Sequence, residues 1–254
     1  MMRKVYVLIA ALLLFNLAHS QNSQLFAQAT KHYNKGEYSD AIKNYEQILE
    51  NGVHSAALYY NLANCYYKQN AIGPSIYYYE KALLLNPYDN EIKNNLKYAQ
   101  NMRLDAVEEM PQTEIAKAYR SVVNIFSFDG WAYTAVLCMA LFVLGYLAYY
   151  FLRHASHKRM AFITSIFALV LGLLAILLAY LQYQEYTSDN PAIVFAKEVK
   201  ITAEPNSTSE AIFILHEGTK VNVLDSLEEW QKIRLADGQT GWIKNENIKL
   251  LKDF

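Results

Sequence analysis

Two apolar stretches, 131–152 and 160–181, dominate the pattern of hydrophobic and polar positions along the chain. Neither contains Asp, Glu, Lys or Arg. Each is close to the ~20 residues with which a helix crosses a hydrocarbon core of ~30 Å. Tyrosine and tryptophan residues lie near their ends, where amphipathic rings favour the membrane interface. The pattern predicts a transmembrane hairpin, and two buried helices of a soluble bundle are the alternative.

The charges around these stretches predict an orientation. The connecting segment 153–159 carries three permanent cations, whereas the outer flanks carry Asp129, Glu185 and Asp189. Because cytoplasmic loops are enriched in Lys and Arg, the connection should face the cytoplasm. We therefore expect an inner (cytoplasmic) membrane protein whose N-terminal and C-terminal domains are periplasmic or otherwise extracytoplasmic.

The first 20 residues have the pattern of a secretory signal peptide. Arg3 and Lys4 precede an apolar run at 5–15, and Ala18 and Ser20 supply the small residues that a signal peptidase reads. Export of the following segment agrees with the orientation that the charges predict. An uncleaved membrane anchor is the alternative.

Residues 22–105 have a helical pattern that repeats. Paired positions 34 residues apart are Gln28 with Leu62, Ala29 with Ala63, Tyr33 with Tyr67, Ala41 with Ser75, Ile42 with Ile76, Tyr45 with Tyr79 and Ile48 with Ala82. Small residues recur where two helices must approach closely, and large ones fill the gaps between them. This period is typical of helical-pair repeats that stack into a solenoid.

The second copy, 59–87, resembles the tetratricopeptide repeat family. Pro87 is predicted to end its second helix, because proline cannot continue the hydrogen bonding of a helix interior. The first copy departs from the pattern at Gln28 and at Val53, but we accept it as a repeat. A third helix, 91 to about 105, places Ile92, Leu96, Ala99 and Met102 on one face and is predicted to cap the second repeat.

The tetratricopeptide resemblance implies a concave groove that binds peptide segments of partner proteins. Carried over by position, its partner-binding residues are Phe26, Thr30, Tyr33, Asn34, Tyr60, Asn64, Tyr67, Lys68, Asn94 and Tyr98. Tyrosine and asparagine offer apolar area with hydrogen-bonding tips, which suits peptide recognition. An ordinary solvated face is the alternative for each residue.

The linker at 106–130 contains a predicted amphipathic helix. Ile115, Tyr119, Val122, Val123 and Phe126 follow helical spacing, and polar residues occupy the opposite face. Such a helix either lies on the bilayer surface or packs back on the repeats.

Short β-like runs follow at 192–254. The clearest are 211–216, 220–224 and 231–235, and Asp237-Gly238 predicts a tight hairpin. About five short strands in so short a segment indicate a small barrel. The series 218–221, 230–235 and 237–243, which ends in Gly-Trp-Ile, resembles bacterial SH3 domains.

Bacterial SH3 domains are often modules that bind the cell wall or proteins. Trp230 and Trp242 are the predicted partner-binding residues, because two indole rings can form a shelf for a peptide. In so small a domain the alternative is that one or both tryptophans pack the core.

Composition and motifs predict no catalytic chemistry. The 254 residues carry a net charge of −1, and this charge balance does not favour nucleic acid binding. No metal-ligand spacing, phosphate loop or nucleophile elbow occurs. Cys65 and Cys138 belong to a soluble segment and to a predicted span, so no disulfide is expected between them. We predict a protein that is not an enzyme and needs no cofactor or metal.

The whole predicted arrangement is a multidomain membrane protein with an all-α tetratricopeptide solenoid, a two-helix transmembrane hairpin and a small all-β SH3-like barrel. This order, together with the string at 72–83, resembles the BatE proteins of aerotolerance operons. The resemblance implies partners among membrane proteins with von Willebrand A domains and, indirectly, a MoxR-type ATPase, with a contribution to stress or oxygen tolerance.

These inferences favour a membrane-anchored protein-interaction scaffold that holds partner segments through its groove and its barrel. A cell-wall sensor or recruiter, whose SH3-like domain binds peptidoglycan peptides, is the alternative. An enzyme or transporter subunit is a third class. It is not favoured, because the chain has no catalytic motif and the predicted spans contain no charged acid or base that would mark an ion path.

Overall fold

The computed structural model describes residues 21–107, 110–111 and 113–253. The predicted secretory signal at 1–20 lies outside these residues. The chain divides into two units. The first unit joins the segment before residue 110 to the segment after residue 189, and the second unit is Met110–Asp189.

Five helices form the N-terminal part of the first unit. They are α1 (21–34), α2 (Tyr38–Glu50), α3 (Ala56–Lys68), α4 (Ile72–Leu85) and α5 (Asn90–Gln100). The turns that follow α1 and α3 both contain a residue with positive φ, Gly36 at 80° and Asn70 at 58°. The amides of these residues donate to the carbonyls of Tyr33 and Tyr67, at 2.9 and 3.0 Å. The two helical pairs therefore share one backbone geometry at a spacing of 34 residues.

Small residues allow the paired helices to approach closely. Ser75 and Ala63 are fully buried where α4 crosses α3, and the Ser75 hydroxyl donates to the Ala63 carbonyl at 3.1 Å. Tyr45 and Tyr79 are buried at equivalent positions of α2 and α4. The core thus combines small contact residues with large aromatic ones, as the repeated pattern predicts.

Helix α5 buries Ile92, Leu96 and Ala99 against the preceding pair. The prediction that this helix extends to about residue 105 is wrong. It ends at Gln100, and Met102 is 43% exposed. The chain leaves the helical path because the residues that follow turn toward the C-terminal sheet, where Asp105 binds a backbone amide.

Seven antiparallel strands form the C-terminal part of the first unit. They are β1 (Pro191–Val194), β2 (Glu198–Thr202), β3 (Ala211–His216), β4 (Lys220–Leu227), β5 (Trp230–Arg234), β6 (Thr240–Lys244) and β7 (Ile248–Leu250), in the order β3-β2-β6-β5-β4-β1-β7. Within the described residues this is two more strands than the sequence pattern indicates. The predicted run 211–216 matches β3, whereas β4 continues to Leu227 and β5 begins at Trp230.

The sheet curls around a single core. Buried side chains from all seven strands belong to one cluster, which includes Ile201, Val221, Ile233 and Ile243. The hairpin between β5 and β6 turns at Gly238, whose φ of 90° is in the region that glycine adopts without strain. These features agree with the predicted small barrel.

The barrel is docked on one side of α4. Leu251, just after β7, is fully buried in the helical core, and the Phe195 ring packs edge-on against Tyr77 at 5.3 Å. Lys81 of α4 is 5% exposed and pairs with the carboxylate of Asp253. The repeats and the barrel are therefore one packed body rather than two independent modules.

The second unit contains α6 (Glu114–Val123), α7 (Phe128–Phe151) and α8 (Ala155–Ser188). Helices α7 and α8 are long and apolar enough to cross a membrane. They include the predicted spans at 131–152 and 160–181, except that α7 stops one residue earlier. The predicted connecting loop 153–159 is shorter than expected, because the helical backbone of α8 already begins at Ala155.

The contact between α7 and α8 consists of small residues. Ala135, Ser165, Ala168, Gly172 and Ala175 are the residues that these helices bury. A Cβ atom added to Gly172 would lie 3.2 Å from the Cβ of Cys138, so the helices touch where side chains are smallest. The large leucine, isoleucine and phenylalanine side chains point outward. This arrangement suits a lipid surrounding.

Candidate functional site

A pocket of about 200 Å³ opens on the side of the repeats where α1, α3 and α5 lie. We call it the groove pocket. Its lining consists of hydroxyl, amide and ammonium side chains: Tyr33, Tyr60, Asn64, Tyr67, Lys68, Tyr79, Asn95 and Tyr98. Tyr79 reaches it from α4, whereas the other residues come from α1, α3 and α5. The lining contains one cation and no carboxylate.

A hydrogen-bond network fixes the wall of the groove pocket. The Tyr79 hydroxyl donates to Oδ1 of Asn64. The Tyr60 hydroxyl donates to Oε1 of Glu91 at 2.6 Å and accepts from Nδ2 of Asn95 at 2.6 Å. These bonds hold the aromatic rings and amides in place before any ligand arrives, which lowers the entropic cost of binding.

The tyrosines of this network are neutral hydrogen-bond donors. Burial and the hydrogen bond to Glu91 raise the pKa of Tyr60 to about 12. Burial likewise raises the pKa of Tyr79. At neutral pH the groove pocket therefore presents hydroxyl and amide groups beside the ammonium of Lys68. Among the described residues, Lys68 forms no ion pair.

The structure brings together six of the predicted groove residues, Tyr33, Tyr60, Asn64, Tyr67, Lys68 and Tyr98. Phe26 and Thr30 are used inside the fold instead. The Phe26 ring packs edge-on against Tyr45 at 5.4 Å, and the Thr30 hydroxyl donates to the Phe26 carbonyl at 3.0 Å. Asn34 and Asn94 are exposed and do not line the pocket.

Sequence reasoning missed two residues of the groove pocket. The repeat pattern predicts only a packing role for Tyr79, and its side chain is indeed buried between α3 and α4. Its hydroxyl nevertheless reaches the wall of the groove pocket, where it donates to Asn64. Asn95 lines the pocket in place of the predicted Asn94. Its side-chain amide donates to the Tyr60 hydroxyl, which holds it at the pocket wall. The repeat pattern therefore predicts which residue of α5 faces the groove only to within one position.

Phe26 lines a different pocket, of about 300 Å³, near the start of α1. Its other lining residues come from α1, from the end of α2, from the start of α3 and from the loop between α2 and α3: Asn22, Ser23, Ile48, Val53, Ser55 and Leu58. This pocket is more apolar than the groove pocket and does not adjoin the tyrosine network.

The two tryptophans of the barrel lie on one face of the β5–β6 ladder. Trp230 is paired with Lys244 and Trp242 with Lys232, so the indole rings occupy diagonal positions. Trp230 is only 7% exposed, and the ammonium of Lys244 lies 5.6 Å from its ring centroid. Trp242 is half-buried. Trp230 is therefore largely covered although it lies outside the barrel's hydrophobic core, which takes Ile233 and Ile243 from these two strands, and little of its ring is available to a ligand.

A pocket of about 510 Å³ adjoins Trp230, and we call it the barrel pocket. Its lining combines hydroxyl groups with two lysines: Val199, Lys200, Thr202, Ser207, Ser209, Ala211, Trp230, Lys244 and Asn247. Trp242 does not line it, so the predicted shelf of two tryptophans is not formed at this pocket. The sequence analysis did not single out Lys200, which lies within β2, or the two serines, which lie in the loop after β2 where the sequence has no regular spacing.

The described residues contain no cluster of His, Cys, Asp and Glu that could hold a metal ion. Cys65 is buried in α3, and burial raises the pKa of its thiol to about 12. This thiol is therefore protonated at neutral pH and is a weak nucleophile.

Comparison with known proteins identifies one part of the chain. Residues 198–249 match the bacterial SH3 domain family. This match begins with β2 and ends within β7, so the C-terminal sheet is a bacterial SH3 domain. No curated protein matches the chain.

Proposed function

We propose that this protein is a membrane-anchored, non-enzymatic scaffold that binds an extended segment of a partner protein in the groove pocket. The observation that carries this proposal is the concentration of pre-organised tyrosine and asparagine side chains beside Lys68, which forms no ion pair with the residues that the structure describes, on a face that the barrel leaves open. Aromatic side chains with polar tips provide large contact areas at low entropic cost.

The chemistry of the lining indicates the kind of segment. Hydroxyl and amide groups can donate to the carbonyl oxygens of an extended peptide, and the ammonium of Lys68 favours a carboxylate at one position. The lining residues carry no carboxylate, and the carboxylate of Glu91 at the pocket wall already accepts from the Tyr60 hydroxyl. We therefore expect a partner segment with a carboxylate near Lys68 and an aromatic or aliphatic residue against the tyrosine rings.

The finer part of the proposal concerns location and partners. Helices α7 and α8 anchor the protein in the inner membrane, with the repeats and the SH3 domain outside the cytoplasm. The resemblance to BatE proteins supports partners with von Willebrand A domains in the same membrane, and indirectly a MoxR-type ATPase, in stress or oxygen tolerance. Contact through the SH3 domain as well would raise the effective concentration of a bound partner.

Selection of peptides on the full-length protein tests the groove. The protein is reconstituted in nanodiscs and screened against a random peptide display library. Tyr67→Ala and Lys68→Ala should each weaken the selected peptides by about tenfold or more, since each removes a direct contact. The matched control is Tyr88→Ala, because Tyr88 is also exposed but lies outside the groove pocket. Equal binding by all three variants would contradict the proposal.

The SH3 match favours a second function, in which the domain binds peptidoglycan peptides. The barrel pocket supports it, because Lys200 and Lys244 can pair with the carboxylates of such peptides and Ser207 and Ser209 can donate hydrogen bonds. Co-sedimentation of the full-length protein with purified cell-wall sacculi measures this activity. Lys200→Glu should abolish sedimentation, whereas Lys43→Glu on the repeats should not. Sedimentation that persists in Lys200→Glu would exclude the barrel pocket as the wall site.

A further inference from the structure

We propose that α6 lies in the membrane interface with its apolar face in the lipid, and so forms a third membrane contact beside α7 and α8. This inference rests on the proposed insertion of the hairpin. The apolar face of α6 is not covered by the described residues of the second unit, and in this proposal the bilayer surface covers it.

The exposed face of α6 is apolar along its whole length. Ile115 is 83% exposed, and Tyr119 and Val122 are exposed on the same side. Phe126 lies in the turn after the helix and is also exposed. Lys117, Ser121 and Asn124 occupy the opposite side. A short helix with this division of residues binds in the plane of a lipid–water interface, where each face meets its own solvent.

Contacts with both long helices hold α6 at one end of the hairpin. Nε1 of Trp131 donates to the carbonyl of Val123 at 2.8 Å, and the Phe126 ring packs edge-on against Trp131 at 5.1 Å. On the other side, Nη2 of Arg120 lies 4.0 Å from Oε1 of Glu185. Trp131 is near the start of α7 and Glu185 near the end of α8. This end of the hairpin lies opposite the basic connection between the two helices.

Helices α6 and α7 each have their own N-terminal cap, so α6 is a separate element and not an extension of α7. The Thr113 hydroxyl accepts from the amide of Ala116 at 3.3 Å. The Ser127 hydroxyl accepts from the amide of Gly130 at 3.2 Å and begins α7. Ser127 therefore starts a new helix, and this break lets the α6 axis leave the direction of the span.

The cations of α6 already have partners within the second unit. Lys117 pairs with Glu114 at 2.8 Å, and Arg120 faces Glu185. Attraction to anionic headgroups is therefore a minor contribution. Arg120 and Asn124 meet Glu185 and Gln182 of α8, and this leaves Ile115, Tyr119 and Val122 exposed for contact with lipid.

Spin-label accessibility on the full-length protein in nanodiscs tests this inference. Single cysteines replace Ile115, Tyr119, Ser121 and Val143 in turn, in a background that carries Cys65→Ala and Cys138→Ala. Power saturation then compares collisions with oxygen, which partitions into lipid, and with a water-soluble nickel chelate. Ser121 is the matched control on the opposite face of α6, and Val143 reports insertion of α7.

The expected result is a ratio of oxygen to nickel accessibility at Ile115 and Tyr119 that is several-fold higher than at Ser121 and lower than at Val143. The ratio should not depend on the fraction of anionic lipid. If Ile115 and Tyr119 are accessible to nickel, α6 lies in water, and if both reagents are excluded, it is covered by protein. Either outcome overturns the inference while a lipid-exposed Val143 still supports the hairpin. A water-exposed Val143 would overturn the membrane placement and this inference together.

Discussion

Helix α4 has two sides that are used in opposite ways. Toward the barrel, Tyr77, Glu80 and Lys81 meet residues from distant parts of the chain, and all three are buried. Toward the groove, Tyr79 sends its hydroxyl to Asn64 at the wall of an open pocket. One side is closed by the protein itself and the other opens to a pocket.

The difference lies in how the charges are satisfied. On the barrel side, Glu80 accepts from Lys220 at 2.8 Å, and Lys81 pairs with Asp253. On the groove side, the described structure offers Lys68 no carboxylate. Charges with a partner stabilise the fold, whereas a charge without one is available for binding. The two sides should therefore respond differently to substitution.

The largest effect on stability is expected for Asp253→Asn. This change removes the carboxylate that pairs with the ammonium of Lys81, which is 5% exposed. Loss of one partner of a fully buried pair costs about 3 to 5 kcal/mol, and because the Asp253 side chain is 45% exposed we expect the low end, about 3 kcal/mol. Hydrogen exchange of the β1 and β7 amides measures the free energy of opening. The control is Asp40→Asn, which removes an exposed pair with Lys43 and should cost less than about 0.5 kcal/mol. Equal costs would contradict the barrel-side account.

A smaller loss is expected for Asp105→Asn. Its carboxylate accepts from the His216 amide at 2.7 Å and from the Thr219 hydroxyl at 2.6 Å, and so ties the end of the repeats to the barrel. Hydrogen bonds to a charged group are worth about 2 kcal/mol in total at such a site. The protection of the β3 and β4 amides should fall by this amount, while that of α2 stays unchanged. Unchanged protection at β3 would show that Asp105 does not hold the barrel.

Because Asp105 must be ionised to make these bonds, we predict that the packing of the barrel on the helical repeats weakens in acid. Burial alone would raise the pKa of Asp105, but the hydrogen bonds from Thr219 and His216 outweigh it and hold the pKa below the ordinary value of 3.8. A lowered pKa means that the stabilisation is complete above the ordinary value and is lost as the pH falls through the value in the folded protein. Opening of β3 should therefore increase below about pH 4. Asp105→Asn should show a shallower acid limb, and an identical limb would contradict this assignment.

The smallest effect on stability is expected in the groove. Tyr67→Ala should change the free energy of unfolding by less than about 1 kcal/mol, because Tyr67 is only half-buried. Helical circular dichroism and hydrogen exchange of α3 measure this. The contrast with Asp253→Asn is the useful result, since Tyr67→Ala should impair peptide binding without opening the barrel. A large loss of stability would assign Tyr67 to the core instead.

Local patterns in the sequence predicted most of the fold. The 34-residue spacing gave the helical pairs, because Ala63, Ser75 and their equivalents pack in the same way in each copy. Alternation and turn residues gave the strands. The docking of the barrel was not predictable, because Lys81 and Asp253 are far apart in sequence and neither carries a local signal. From the sequence alone, Lys81 would be predicted to be an exposed helix residue, because nothing near it in sequence indicates its pairing with Asp253.

The site was predicted less completely than the fold. Residues on the first helix of each pair, such as Tyr33 and Tyr67, followed from the repeat, because equivalent positions face the same side. Phe26 and Thr30 did not line the pocket, since the first pair uses them to pack against Tyr45. Trp230 and Trp242 share a face of the sheet, yet only Trp230 lines the barrel pocket, together with Ser207 and Ser209 of the loop after β2, which no sequence pattern specifies.

The most direct test of the groove as the binding side is photocrosslinking in native membranes. A photoreactive amino acid replaces Tyr67 in one strain and Tyr88, the exposed tyrosine outside the groove, in another. We predict adducts at Tyr67 with a membrane protein that carries a von Willebrand A domain, suppressed by Lys68→Glu, and no such adduct at Tyr88. The same adducts at both positions, or none at Tyr67, would contradict the account.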